Sequence, residues 1–374
     1  MLVAGIARKL AHAIPAAAPA LKAGHRASER LLTAAGSVWP HLIRANTEKI
    51  TIAITAHCNL RCKGCKYGRD FMPGAQLPLH LYQNLIEDAA VAGVPAVRLY
   101  GGEPLLHPDV VRMVEIASEE GVGCYMTTNA LTLDRKIDAL HGAGLRKITM
   151  GYYGQDAAFD RYVQRPGRFS RLKESLDVTR KLFGAQDLAL QFNFLLSRQT
   201  ANPQAIEAMR LFAERYQAAV QIDVVHYSLP YFQDGPELEI QFRPEDAPAV
   251  RRSIDHLLAI KARQPELLTA SATAIVSLED WALRQSEMRI PCDARKLLWV
   301  GADGSVMLCY VTFPLGNLHE KRLSEILYSP EHHRAARNAF SLNCPNCHCE
   351  SASRVEKHGP SFRKYSAMAK QRAS

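Results

Sequence analysis

The stretch KITIAITAHCNLRCKGCKY, residues 49 to 67, joins a strand-like run to a loop that carries three cysteines, at 58, 62 and 65. Lys49 to Thr55 is rich in β-branched residues, as a buried strand requires. The loop behind it crowds three thiols together and offers no fourth ligand. Three thiolates can hold three irons of a 4Fe-4S cube and leave the fourth iron open to an outside ligand. Zinc sites draw on similar spacings, so the loop alone leaves both readings open.

Outward from this loop, strand and helix alternate with short connections as far as about Tyr227. KITIAIT (49–55), AVRLYGG (96–102), VGCYMTTN (122–129), KITMGYYG (147–154), LALQFNFLL (188–196) and VQIDVVHY (220–227) read as strands bounded by Gly, Asn or Pro. LYQNLIEDAAVAG, VVRMVEIASEEG and AIEAMRLFAERY between them read as helices. Six βα units in series predict an α/β fold, a partial (β/α)6 TIM-like barrel whose site lies at the carboxyl ends of the strands. The three cysteines follow the first strand and so sit where chemistry is expected.

The second strand ends in YGGEP, Tyr100 to Pro104. Glycines let backbone approach a ligand closely, and a glutamate offers an acceptor to an ammonium group. Together, CxxxCxxC at Cys58, Cys62 and Cys65 and GGEP one βα unit later resemble the radical S-adenosylmethionine (SAM) superfamily. That resemblance implies a 4Fe-4S cluster on the three cysteines, with SAM chelating its open iron. It implies that Gly101, Gly102, Glu103 and Pro104 meet the methionine amino group. Thr128 and Asn129 resemble the segment lining the SAM cavity, and Arg165 and Asn193 lie where relatives contact SAM. The family's aromatic residue before the third cysteine is replaced by Gly64, which leaves Tyr67 to supply a ring near the adenine. Where relatives read SLDG the chain reads GYYG, 151 to 154, so Tyr152 and Tyr153 either shape a different pocket or pack the strand.

Nine cysteines occur in all, and most crowd into two short regions rather than spreading as a disulfide framework would. The later group is Cys292, Gly304, Cys309, GNL at 316–318 and CPNCHC at 344–349. This pattern resembles the twitch and SPASM auxiliary-cluster domains of the same superfamily. Five cysteines after residue 290 fit the shorter twitch form, with Cys292, Cys309, Cys344 and Cys347 holding a second, auxiliary 4Fe-4S cluster. Structural zinc is the plainer alternative. Cys349 is left over beside these ligands, and Cys124 inside the third strand reads as a small buried hydrophobe. The expected organisation is a basic helical extension over 1–48, a radical SAM core over 49–230, a helical linker over 231–285, an auxiliary-cluster domain over 286–350 and a basic tail over 351–374.

The formal charge of +9 resides at the ends: residues 1–44 and 351–374 hold +10 between them, and the middle carries −1. This distribution argues against a nucleic-acid-binding fold and suggests a tether to an anionic membrane surface or an acidic carrier. No run of about 18 apolar residues suggests a membrane span. The Ala-rich start is broken by His12, Pro15 and Pro19, unlike a signal peptide. Both points fit a cytoplasmic chain able to lie against a membrane. Leu31, Leu32, Ala35, Val38, Trp39, Leu42 and Ile43 recur at helical spacing, as for a helix docked on the body or lying on a membrane surface.

The resemblance implies reductive cleavage of SAM to a 5′-deoxyadenosyl radical and hydrogen abstraction from a substrate. It also implies a low-potential electron donor such as flavodoxin or ferredoxin. The region before Lys49 is short for a separate peptide-recognition module, which points to dehydrogenation or epimerisation of a small or carrier-bound molecule. Maturation of a ribosomal peptide or protein is the alternative. A non-catalytic electron-transfer scaffold is the third reading, which GGEP opposes because a relay has no use for a SAM site.

Overall fold

The computed structural model describes residues 18–373 except 68, 229, 231, 233–237 and 311. The basic start up to residue 17 lies outside them. The chain opens with helix α1 (Ala18–Val38). Strands β1 (Lys49–Thr55), β2 (Ala96–Gly101), β3 (Gly123–Thr127), β4 (Lys147–Tyr152), β5 (Ala189–Leu196) and β6 (Ala219–Val224) then pair in sequence order, all parallel. Helices α2 (Leu79–Val91), α3 (Val110–Glu119), α4 (Ile137–Gly142), α5 (Ala157–Val163), α6 (Arg168–Leu182) and α7 (Pro203–Arg215) fill the crossovers.

The two faces of this sheet differ in chemistry, and the strand period of two is the reason. On β5 the residues Leu190, Phe192, Phe194 and Leu196 are buried against the helices, while Gln191, Asn193 and Leu195 alternate onto the other, concave face. The same side takes Thr55, Tyr100, Thr127, Thr149 and Asp223 by strand register. A polar concave face under a line of strand ends is what a barrel needs in order to hold a substrate.

The sheet does not close into a barrel. It continues past β1 into β7 (Leu297–Val300), β8 (Ser305–Leu308) and β9 (Phe313–Asn317), giving the order β6-β5-β4-β3-β2-β1-β7-β8-β9. β7 runs parallel to β1, with Thr51 opposite Trp299, and β7-β8-β9 is an antiparallel meander. Nothing in the local sequence signals that the C-terminal cysteine region shares the core's sheet.

The rest of the chain is helical: α8 (Ala247–Arg263), α9 (Ala272–Arg284), α10 (Leu323–Ile326), α11 (Pro330–Phe340), α12 (Ser351–Lys357) and α13 (Gly359–Ala373). The basic C-terminal residues are largely neutralised by packing. Lys364 pairs with Asp280 at 2.7 Å, Arg372 with Asp255 at 3.3 Å, and Lys357 with Asp293 at 2.6 Å. Helix α1 docks through its polar side, with Glu29 on Lys296 at 2.6 Å and the Arg30 Nε–H donating to the Glu356 carbonyl at 2.8 Å. Its apolar residues Leu31 and Val38, and Trp39 just after it, point outward, 72%, 66% and 56% exposed. Among the described residues no helix is long and apolar enough to cross a membrane.

Candidate active site

The three-cysteine loop leaves β1 and is held by its neighbours' backbones. The Gly102 N–H donates to Thr55 O and the Glu103 N–H to His57 O, both at 2.8 Å. From the other side the Lys63 N–H reaches Tyr162 O at 2.8 Å and the Arg61 N–H reaches Val163 O at 3.2 Å. Between Cys62 and Cys65 the loop turns on Gly64, whose φ of +76° is a left-handed conformation that an aromatic residue would resist. That turn explains why the ring expected before the third cysteine is missing. The Arg69 guanidinium donates to the Cys62 carbonyl at 3.3 Å and to the Cys65 carbonyl.

The thiols form one electrostatic group. Burial, then the neighbouring Cys65 and Cys58, pushes the Cys62 thiol well above its ordinary pKa. The side chains acting on the three thiols include one another, Glu103 and Arg69. A set of three soft ligands, costly to ionise without a cation, fits a cluster with one open iron.

GGEP is built for close packing. A Cβ on Gly102 would stand 2.3 Å from His57 O and 2.5 Å from Ala56 O, and one on Gly101 2.3 Å from Thr55 O. The two glycines are thus required by the chain's own cysteine loop. Glu103 is fully buried and its carboxyl is raised above its ordinary pKa by burial. It accepts hydrogen bonds from the Leu105 N–H at 3.0 Å, the Asn129 N–H at 2.7 Å and the Thr128 hydroxyl. The Asn129 side chain in turn donates to Asn59 Oδ1, inside the cysteine loop, at 2.7 Å. GGEP, the end of β3 and the cluster loop are one hydrogen-bonded unit, and Pro104 starts the short turn beyond it.

The two tyrosines of GYYG part company. Tyr152 is fully buried among Phe169, Phe192, Phe194 and Phe212, on the helix side. Tyr153 lies on the concave side, stacked on Tyr162 at 4.0 Å, and its hydroxyl is pushed well above its ordinary pKa by burial and then by the three loop cysteines and Glu103. A Cβ on Gly151 would sit 2.1 Å from the Tyr153 hydroxyl, so the glycine that replaces a larger residue makes room for this ring. Asn193 opens onto the concave face and accepts from Gln191 Nε2 at 3.0 Å. Arg165 is exposed just beyond α5. Tyr67 is turned inward, 5% exposed, between Phe71 and Tyr100.

The later cysteines converge as well. Cys292, Cys309, Cys344, Cys347 and Cys349 line one cavity, with Ala294, Phe313 and Ser228 around it. Cys349 belongs to the group: it is 8% exposed and its N–H donates to Cys347 Sγ at 3.4 Å. The Cys349 thiol, then His348 and Arg354, lowers the Cys347 thiol below its ordinary pKa, as suits a thiolate ligand. Cys124, on β3, is remote from both groups and its thiol is pushed up to about 12 by burial. Four or five thiols around one cavity fit a second cluster.

Several important residues escaped the sequence. Arg354, 1% exposed, donates to the carbonyls of Ile290 and Cys347 and to Asn346 Oδ1 while lying 4.7 Å over the Trp281 ring. One apolar cluster joins the two thiol groups: Cys65, Tyr67, Tyr100, Cys292, Trp299 and Cys349 all belong to it, and Trp299 Nε1–H donates to the Tyr100 hydroxyl. No motif marks either residue. Asp223, His226 and His348 meet at the end of β6.

Comparison with known proteins agrees with this geometry. The Radical SAM superfamily profile matches residues 52–190, and the SPASM profile, an iron-sulfur cluster-binding domain, matches 292–350. A GTP 3′,8-cyclase of Chlorobaculum tepidum is 34% identical over 157 residues, 41% of this chain and 47% of that protein. An AdoMet-dependent heme synthase of Methanosarcina barkeri is 30% identical over 149 residues, 39% of this chain and 42% of that one. The match thus spans under half the length of either relative. Streptococcus suis SuiB bound to S-adenosylmethionine shares the fold with a TM-score of 0.60 at 17% identity, over 86% of this chain and 74% of that chain. SuiB has also been solved with its precursor peptide SuiA. With an open parallel sheet, a three-thiol loop and a second thiol cavity in place, the chain carries a Radical SAM superfamily domain over residues 52–190 and a SPASM iron-sulfur cluster-binding domain over residues 292–350.

Proposed function

We propose that Cys58, Cys62 and Cys65 hold the SAM-cleaving 4Fe-4S cluster and that SAM lies against Gly101, Gly102, Glu103, Pro104, Asn129, Asn193, Arg165 and Tyr67. When bound, this pair supplies a 5′-deoxyadenosyl radical able to take hydrogen from an unactivated C–H bond. The chain's part is positional. Glu103, Thr128, Asn129 and Asn59 brace the loop, Tyr153 and Tyr162 shield it from water, and Gln191, Asn193 and Asp223 offer polar contacts to a substrate on the concave face. Cys292, Cys309, Cys344 and Cys347 would hold the auxiliary cluster. A low-potential donor such as flavodoxin or ferredoxin would supply the first electron.

Dehydrogenation of a small or carrier-bound molecule is the reaction we favour over epimerisation. The observation that carries it is the place of Cys349: it lies buried against Cys347 within the auxiliary cavity, not free to return a hydrogen atom. Peptide modification is the second reading, supported by the peptide-bound state of SuiB. Reconstituted enzyme with SAM and dithionite should yield 5′-deoxyadenosine, and the triple Cys58/Cys62/Cys65→Ala variant should yield none. Undiminished 5′-deoxyadenosine from that variant would sink the assignment. Deuterium uptake from heavy water into product, lost in Cys349→Ala at unchanged iron content, would favour epimerisation instead.

A further inference from the structure

One polar group on the concave side is left without a full role by this reading. Asp223 ends β6, His226 lies just beyond that strand, and His348 stands between Cys347 and Cys349. One ligand atom from each lies within 4.8 Å of the others. Asp223 Oδ1 and His348 Nε2 are 3.1 Å apart, and the two imidazole centroids are 4.2 Å apart. His348 is 2% exposed.

The second observation is a concentration of unmet polar atoms. His226 Nδ1, Tyr227 Oη, Ser228 Oγ and His348 Nδ1 are all buried and without hydrogen-bond partners. Native proteins seldom leave such groups unpaired, and several in one place mark a missing ion, water or ligand. An Asp223–His348 hydrogen bond by itself accounts for the 3.1 Å contact but leaves His226 and its two neighbours unexplained.

We infer that Asp223, His226 and His348 bind a divalent transition ion, zinc or ferrous iron, through two imidazoles and a carboxylate, independently of the two thiol sites. Such ions take nitrogen and oxygen ligands at about 2.0–2.2 Å, so two ligands at right angles stand roughly 3 Å apart. The Asp223–His348 pair already has this spacing, and the remaining pairs, within 4.8 Å, close by at most about 2 Å. Three ligands leave positions open, and the buried, unpaired hydroxyls of Tyr227 and Ser228 follow His226 directly in the chain. The ion would hold an oxygen or nitrogen donor of a bound molecule there. This inference does not rest on the reaction proposed above.

The test uses the holoenzyme with its clusters assembled, dialysed against zinc and then against buffer. We expect about one zinc per chain, with an X-ray absorption first shell of nitrogen and oxygen at about 2.0–2.1 Å and no sulfur near 2.3 Å. His226→Gln should weaken zinc binding roughly tenfold or more, and Asp223→Asn with His226→Gln should abolish it, at unchanged iron content. His226→Gln lies outside both thiol groups and remains informative if the double variant fails to fold. Wild type without stoichiometric zinc, zinc with sulfur in its first shell, or zinc binding unchanged in His226→Gln would each overturn the inference.

Discussion

Replacing Arg354 with Leu should unfasten the auxiliary thiol cavity. The guanidinium is 1% exposed, and its N–H groups reach the Ile290 carbonyl at 3.2 and 2.5 Å, the Cys347 carbonyl, and Asn346 Oδ1 at 3.1 Å. Leucine fills part of the volume but donates nothing, so three acceptors lose their charged donor. At about 1–3 kcal/mol for each group left unmet, and with incomplete additivity, the loss is about 4 kcal/mol. The stacking on Trp281 adds a smaller term. For a chain of this size about 4 kcal/mol lowers the melting temperature by roughly 5 °C. Because two of the acceptors adjoin Cys347, the auxiliary cluster should go first, at a cost of about four irons per chain, while SAM cleavage at the other site persists. Differential scanning fluorimetry and iron analysis measure both. A variant with full iron and a melting point within a degree or two of wild type would refute the assignment of Arg354 as the clamp.

Two other outcomes follow from the site and the surface. Gly102→Ala places a methyl group 2.3 Å from His57 O, so the cysteine loop must move and lose its two 2.8 Å backbone bonds to GGEP; 5′-deoxyadenosine formation should fall at least tenfold, and wild-type rates would show the contact to be soft. If the chain lies at the membrane periphery through its exposed Leu31, Val38 and Trp39, sedimentation with acidic vesicles should weaken with salt and fall in a Leu31→Ser/Trp39→Ser variant, and equal binding by that variant would rule the patch out.

Much of the core was legible because its signal is local. β-branched runs bounded by turn residues marked the six parallel strands, five of them to within two residues and the sixth ending three residues early at Val224, and the three-thiol loop and GGEP lie side by side at the strand ends. What stayed hidden depends on tertiary contacts. Arg354 reads as one more cation in a basic tail, and only burial against Ile290 and Cys347 gives it a role. Tyr152 and Tyr153 are adjacent and alternate faces as any strand pair must, yet which of them meets the cysteines depends on the register of β4. The apolar residues from Leu31 to Ile43 repeat at helical spacing, which fits a docked or a membrane-surface helix alike; the polar anchors Glu29 and Arg30 were hidden because their partners Lys296 and Glu356 lie far along the chain. The pairing of β7 with β1 has no sequence signature, since a short apolar strand carries no address.

That pairing makes the auxiliary region inseparable from the core. β1, the strand that delivers the cysteine loop, is hydrogen-bonded on one side to β2 and on the other to β7. Cutting the chain before Cys292 would strip β1 of one neighbour and leave an apolar edge, Ile50 to Ile54, open to any passing strand. Such an edge recruits other chains. A truncated core should therefore be recovered as aggregate, not as a SAM-cleaving module, and exchanging C-terminal regions among relatives should succeed only when β7 travels with its own β1.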